Sequence, residues 1–100
     1  MSGLSSKDID IICNILKKYP EVVEACFFGS RAKGTQKNGS DVDIAIKGRI
    51  PDQFVSRISG ELNDESPLPY TFDIVAFNSL ENQALKKHIE RVGLTFYKKL

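Results

Sequence analysis

Three aspartates, Asp41, Asp43 and Asp73, are the residues of this chain whose types and spacing could do chemistry. The run Asp41-Val42-Asp43-Ile44-Ala45-Ile46 reads as a strand, and side chains of a strand alternate between faces, so the Asp41 and Asp43 carboxylates leave the same face. Two neighbouring carboxylates repel unless a cation joins them, and a donor set made only of oxygen suits Mg²⁺ or Mn²⁺ rather than zinc. Asp73 is the one charge in the apolar run Phe72 to Phe77. If that run pairs beside the first, the three carboxylates form the cluster that two-metal phosphoryl transfer uses. Each aspartate taken singly has a plainer reading. Ser40-Asp41 could be a turn and strand-start cap, Asp43 a solvent-facing strand residue, and Asp73 a charge that keeps a sheet edge unpaired.

Gly29 and Ser30 weigh against the plainer readings. A buried strand that ends in Gly-Ser and feeds a short helix turns backbone N–H groups and a hydroxyl toward an anion, and glycine lets a phosphate come close. Arg31 and Lys33 add positive charge nearby, although solvated loop charges would look the same.

The elements that must hold these residues can be read from the rest of the chain. Ser5 and Asp8 have capping-box spacing, and Ile9, Ile12, Leu16 and Tyr19 follow at helical intervals, which predicts a helix from about Ser6 to Lys18, stopped by Pro20. Val22 to Phe28 is a nearly continuous apolar run, as in a strand covered on both faces. The small, polar and basic stretch from Gly29 to Gly39 suits a tight turn, a short helical segment and a loop, before the Asp41 strand closes at Lys47-Gly48. Pro51 opens a helix with Phe54, Val55, Ile58 and Leu62 on one side, weakened by Gly60 and ended near Asn63, Asp64 and the Pro67/Pro69 loop. Tyr70 to Phe77 is the third strand. Asn78 with Glu81 is a second cap signal, ahead of a helix carrying Leu80, Ala84, Leu85, His88, Ile89 and Val92 and ended by Gly93, with Leu94 to Tyr97 as a short strand or extended tail. The order α-β-α-β-α-β-α predicts an α+β fold, a small sheet flanked by helices, over residues 1–100 as a single domain.

Composition bounds the function. The chain has 100 residues, 41% apolar and 27% charged, which is ordinary for a globular domain and excludes a disordered tail. Fourteen basic against thirteen acidic residues leave a net charge of +1, too little for a broad surface that binds long nucleic acid. Cys13 and Cys26 form no CxxC or Cys/His cluster and read as buried free thiols of a reducing, cytoplasmic protein. No run approaches the length of a membrane span. His88, the single histidine, sits at helical spacing and reads as structural or partner-facing.

The spacing Gly29-Ser30, ten intervening residues, Asp41-Val42-Asp43 resembles the signature of the DNA polymerase beta-like nucleotidyltransferases. Gly29-Ser30-Arg31-Ala32-Lys33-Gly34 followed by Ser40-Asp41-Val42-Asp43-Ile44 resembles more narrowly the minimal nucleotidyltransferase (MNT) subfamily, whose usual wording is GSRARG and SDxDL. Lys33 and Ile44 are mild departures, and neither touches a carboxylate. The resemblance is close from Phe27 to Ile46, and the acidic third strand and final helix extend it over nearly the whole chain. It implies a mixed, partly antiparallel sheet, with ATP or another nucleoside triphosphate bound across the Gly29-Ser30 turn with help from Arg31 and Lys33. It further implies that Asp41, Asp43 and Asp73 hold Mg²⁺ or Mn²⁺, with Asp73 taking the proton of an attacking hydroxyl. The activity implied is transfer of a nucleoside monophosphate, AMP from ATP, to a hydroxyl of a protein or small molecule. Minimal nucleotidyltransferases resemble the antitoxin halves of two-gene systems whose partner is a helical HEPN-type ribonuclease, so such a partner is a second implication, and Phe54, Leu85, His88, Phe96 and Tyr97 are candidates for its contact surface. The alternative is a catalytically silent module that binds nucleotide or partner alone. A homo-oligomer remains open, and neither long nucleic acid nor membrane is expected as a partner.

Overall fold

The computed structural model describes residues 3–34 and 41–99. Residues 35–40, which include Ser40 and most of the expected loop, lie outside it. The elements in chain order are α1 (Ser6–Leu16), β1 (Glu24–Phe28), α2 (Ser30–Lys33), β2 (Val42–Lys47), α3 (Asp52–Gly60), β3 (Phe72–Ala76), α4 (Gln83–Val92) and β4 (Leu94–Lys98). A π-helical turn, Glu61–Glu65, continues α3, and a 3₁₀ turn, Phe77–Ser79, comes after β3. The fold is α+β, as expected, with a fourth strand where the sequence leaves a choice between strand and tail.

The four strands lie in the order β3-β2-β1-β4. β1 runs antiparallel to both β2 and β4, whereas β2 and β3 are parallel, so the sheet is mixed. Alternation along the strands sorts their side chains onto two faces. One face carries Ala25, Phe27, Val42, Ile44, Ile46 and Phe72 against Ile12 and Leu16 of α1 and Ile58 of α3, and this is the main core. The other carries Cys26, Phe28 and Ala45 against Ile89 of α4, with Val75, Phe77 and Leu85 at its margin. Both faces are therefore covered at the centre of the sheet, which accounts for the continuous apolar run read in β1.

Local chemistry explains the ends of the elements. The Ser5 hydroxyl accepts from the Asp8 backbone N–H at 3.1 Å while the Asp8 carboxylate accepts from the Ser5 N–H at 3.2 Å, the reciprocal capping box the spacing predicts. The final helix starts later than its first cap signal. Asn82 is its N-cap, with its side-chain oxygen accepting from the Leu85 N–H at 3.1 Å, and Asn78 instead accepts from the Gly48 N–H at 3.1 Å, tying the turns after β2 and β3 together.

Of the expected contact residues only Tyr97 is buried, and the other four are partly exposed. Phe96 stacks on Phe27 with ring centroids 4.1 Å apart, Phe54 packs against Tyr19 at 5.7 Å, and Leu85 borders the smaller core. His88 is half-buried on α4. Both cysteines are free, with Cys26 buried and Cys13 partly so, and burial pushes both thiols above the usual cysteine range. No helix among the described residues is long and apolar enough to cross a membrane.

Candidate active site

Strand polarity brings the residues singled out by spacing to one end of the sheet. Because β1 is antiparallel to β2, the last residue of β1 meets the start of β2, and Phe28 is paired with Asp43. Because β2 and β3 are parallel, their starts coincide, and Asp43 is paired with Asp73. Asp41 lies two residues before Asp43, just ahead of β2. The Asp43 and Asp73 positions alternate with Val42 and Phe72, which enter the main core, so both carboxylates belong to the opposite face, beyond the edge of the smaller core. Asp43 is partly buried, whereas Asp41 and Asp73 are exposed.

The turn after β1 comes close to this cluster. Gly29 has φ 73° and ψ −149°, a combination open essentially to glycine alone. A Cβ at this position would run into the Asp43 carboxylate. Ser30 opens the four-residue α2, whose backbone is closed by the left-handed Gly34 at φ 73°. Glycine at position 29 thus lets the backbone of the turn and the Asp43 carboxylate lie directly against each other.

Arg31 is not a solvated loop charge, the plainer of its two readings. It is buried, at 3% exposure, and its guanidinium carbon lies 5.1 Å from the centroid of the Tyr70 ring. Lys33 ends α2, and its side chain lies outside the described residues.

Two further residues hold the site and carry no spacing signal that would have found them. Asn63, on the π-helical turn, accepts from the Phe72 N–H at 2.7 Å and donates to the Phe72 carbonyl at 3.0 Å, which clamps the backbone immediately before Asp73. The extra residue in a π turn rotates the downstream side chains relative to an α-helix, and this aims Asn63 at the strand. Tyr70, beneath Arg31, lies within hydrogen-bond range of the Asp8 carboxylate, its hydroxyl oxygen 3.4 Å away.

The electrostatics of the cluster arise from its crowding. Burial, then the neighbouring charges of Asp73 and Asp41, push the Asp43 carboxyl above its ordinary value. A carboxyl whose pKa is higher in the folded protein than in the unfolded chain favours folding in its protonated form. Its contribution is present below the ordinary value of 3.8 and is lost as pH rises through the raised native value. Metal-free protein should therefore show a stability deficit relative to Asp43→Asn that is absent at the acid end and grows as pH climbs toward neutrality. Urea denaturation of both proteins in chelator across that range measures it, and parallel curves would contradict the assignment of the strain to Asp43.

The donor set suits a hard divalent cation. Every candidate ligand is a carboxylate, and a cation would offset the neighbouring charges that, after burial, raise Asp43. Among the described residues no three His, Cys, Asp or Glu side chains stand arranged to hold a metal ion by themselves. Mg²⁺ is commonly held by one or two carboxylates together with substrate phosphates and water.

Comparison with known proteins bears on what such a site does. The family model described as Polymerase beta, Nucleotidyltransferase matches residues 6–99. A Methanocaldococcus jannaschii protein described as a protein adenylyltransferase is 36% identical over 76 residues, covering 76% of this chain and 78% of that protein. A Haemophilus influenzae protein described as the protein adenylyltransferase MntA is 34% identical over 73 residues, covering 72% of this chain and 64% of that protein, so the chain spans less than two-thirds of this second relative. Among solved structures, a toxin-antitoxin complex with AMP-PNP superposes with a TM-score of 0.77 at 23% identity, covering 92% of this chain and 74% of that one. A tri-AMPylated Shewanella oneidensis HEPN toxin in complex with MNT antitoxin superposes with a TM-score of 0.69 at 19% identity, covering 91% and 70%. At these identities the superpositions speak for the fold.

Proposed function

Since the chain belongs to the polymerase beta nucleotidyltransferase family and is a nucleotidyltransferase, we propose that it transfers AMP from ATP to a hydroxyl group of a protein, with Mg²⁺ or Mn²⁺ as cofactor. The observation that carries this reading is the meeting of Asp43, Asp73 and the Gly29 turn at one end of the sheet, where the Asp43 carboxylate approaches the turn as closely as only glycine allows. Both relatives found by sequence are described as protein adenylyltransferases, which supports AMP as the group transferred.

In this reaction the hydroxyl oxygen of the acceptor attacks the α-phosphorus of ATP, a new P–O bond forms, the bond to the bridging oxygen breaks, and pyrophosphate leaves. Asp41, Asp43 and Asp73 would hold the metal, with the triphosphate completing its oxygen ligands. When bound, the metal neutralises the triphosphate and lowers the pKa of the attacking hydroxyl. Gly29 and Ser30 receive the phosphates through backbone N–H groups and the Ser30 hydroxyl. Asp73 is exposed, at the start of a strand clamped by Asn63, and takes the proton that the acceptor hydroxyl gives up. Lys33 adds charge beside the turn. Arg31 contributes from inside the protein, where it fixes α2 against Tyr70.

The acceptor proposed is a HEPN-type toxin, with this chain as its antitoxin. The support is the fold shared with the MNT partner of an AMPylated HEPN toxin. The test is incubation with Mg²⁺, labelled ATP and a HEPN-type partner, followed by intact-mass analysis of both chains. A gain of one or more AMP units on the partner is the expected result. Nucleotide binding and partner binding without any mass gain would replace this reading with that of a silent neutralising module.

A further inference from the structure

Arg31 and Tyr70 come from two segments that the sheet register brings to the same end of the sheet. Arg31 lies in α2, directly after the Gly29-Ser30 turn, and Tyr70 stands three positions ahead of Asp73, outside β3. The guanidinium of Arg31 lies over the Tyr70 ring at 5.1 Å, within the range of a cation–π contact, and Arg31 is buried to 3% exposure. The ring is fixed in turn by its edge contact with Phe72, at 6.4 Å and 88°, and by the approach of its hydroxyl to Asp8 of the α1 capping box at 3.4 Å. One side of the site, the phosphate turn, is thereby joined to the segment leading into the strand that carries Asp73 through a side-chain contact, in addition to the sheet pairing through β2 and the packing of Tyr70 on the main core.

We propose that Tyr70 is a positioning residue that acts through Arg31: its ring face holds the guanidinium, and so sets the Gly29-Ser30 turn at a fixed separation from Asp73. This rests on the reading of the turn as the nucleotide site. The role belongs to the ring rather than to the hydroxyl, because the cation lies over the π face, and it depends on the positive charge of Arg31.

The test is equilibrium binding of Mg²⁺–ATP to the whole chain, at a temperature well below the unfolding midpoint of each variant. Tyr70→Phe should stay within about twofold of wild type, whereas Tyr70→Leu and Arg31→Gln, which removes the charge, should each weaken binding by about tenfold because the turn is no longer held in place. The double variant Tyr70→Leu/Arg31→Gln should bind no more weakly than the weaker of the two single variants, since both remove the same contact. Additive losses would overturn the proposal, as would a Tyr70→Phe loss as large as that of Tyr70→Leu, which would assign the effect to the hydroxyl. Should Tyr70→Leu fail to fold, the contrast between Tyr70→Phe and Arg31→Gln decides alone, and equal affinities refute the role. Failure of wild type itself to bind Mg²⁺–ATP is a different result, visible before any substitution, and it removes the nucleotide reading together with this one.

Discussion

Replacing Asp41 and Asp43 together by Asn is expected to lower AMP transfer by on the order of 10³-fold or more while the protein stays folded, because the metal's charge neutralisation is worth several kcal/mol at the transition state. Asn matches the shape of Asp but carries no charge, so the sheet register that pairs Phe28 with Asp43 and Asp43 with Asp73 has no reason to change. The metal-free variant should be at least as stable as wild type near neutral pH, since the crowding that raises the Asp43 carboxyl is gone. Mg²⁺ with ATP should raise the unfolding midpoint of wild type and leave that of the variant unmoved. Single-turnover rates and thermal unfolding with and without Mg²⁺–ATP check both halves. Transfer at the wild-type rate by the double variant would remove these aspartates from the site.

Gly29→Ala should damage stability and activity together, which distinguishes it from the aspartate variants. The backbone at Gly29 lies at φ 73°, ψ −149°, where an L-residue is strained by about 1–3 kcal/mol. The new methyl group also meets the Asp43 carboxylate, so either the turn or that side chain has to move. Movement of about 1 Å in groups that position reactants can cost about 10²-fold in rate. The expected result is a lower urea midpoint and a rate reduced by about two orders of magnitude, with neither restored by removing the Asp43 charge, since the backbone strain persists. A Gly29→Ala protein as stable and as active as wild type would show that the turn has no such constraint.

Much of this site is legible in the sequence because its signals are local. The i, i+2 spacing of Asp41 and Asp43 gives them a common face wherever the segment is a strand, and β2 begins at Val42, so it carries Asp43 and leaves Asp41 just ahead of it. The Ser5/Asp8 box needs only three residues of separation, and it is present. The features that escape such a reading depend on contacts between distant segments. Asn78 and Asn82 are equally good caps by type, and the Gly48 N–H, from the end of β2, is what draws Asn78 away. The π turn carrying Asn63 reads as the frayed end of a helix, because its use, the clamp on Phe72, lies in another element. Arg31 and Lys33 look alike as basic residues in a polar stretch, yet Arg31 has a ring to bury against and turns inward. The β4 segment is ambiguous because a short run of mixed polarity becomes a strand only when β1 offers it an edge.

The mixed sheet also has a bearing on how the molecule comes into being. Closing a loop costs more entropy the longer it is, so pairings between near neighbours in the chain form most readily. β1 and β2 are successive strands in a hairpin arrangement, and their pairing alone sets Gly29 against Asp43. Asp73 arrives only when the α3 crossover lays β3 alongside β2, and the outer strand β4 must return from the far end of the chain to β1. Of the two pairings that build the site, the one that sets Gly29 against Asp43 therefore closes the shorter stretch of chain, and the one that adds the like-charged Asp73 closes the longer.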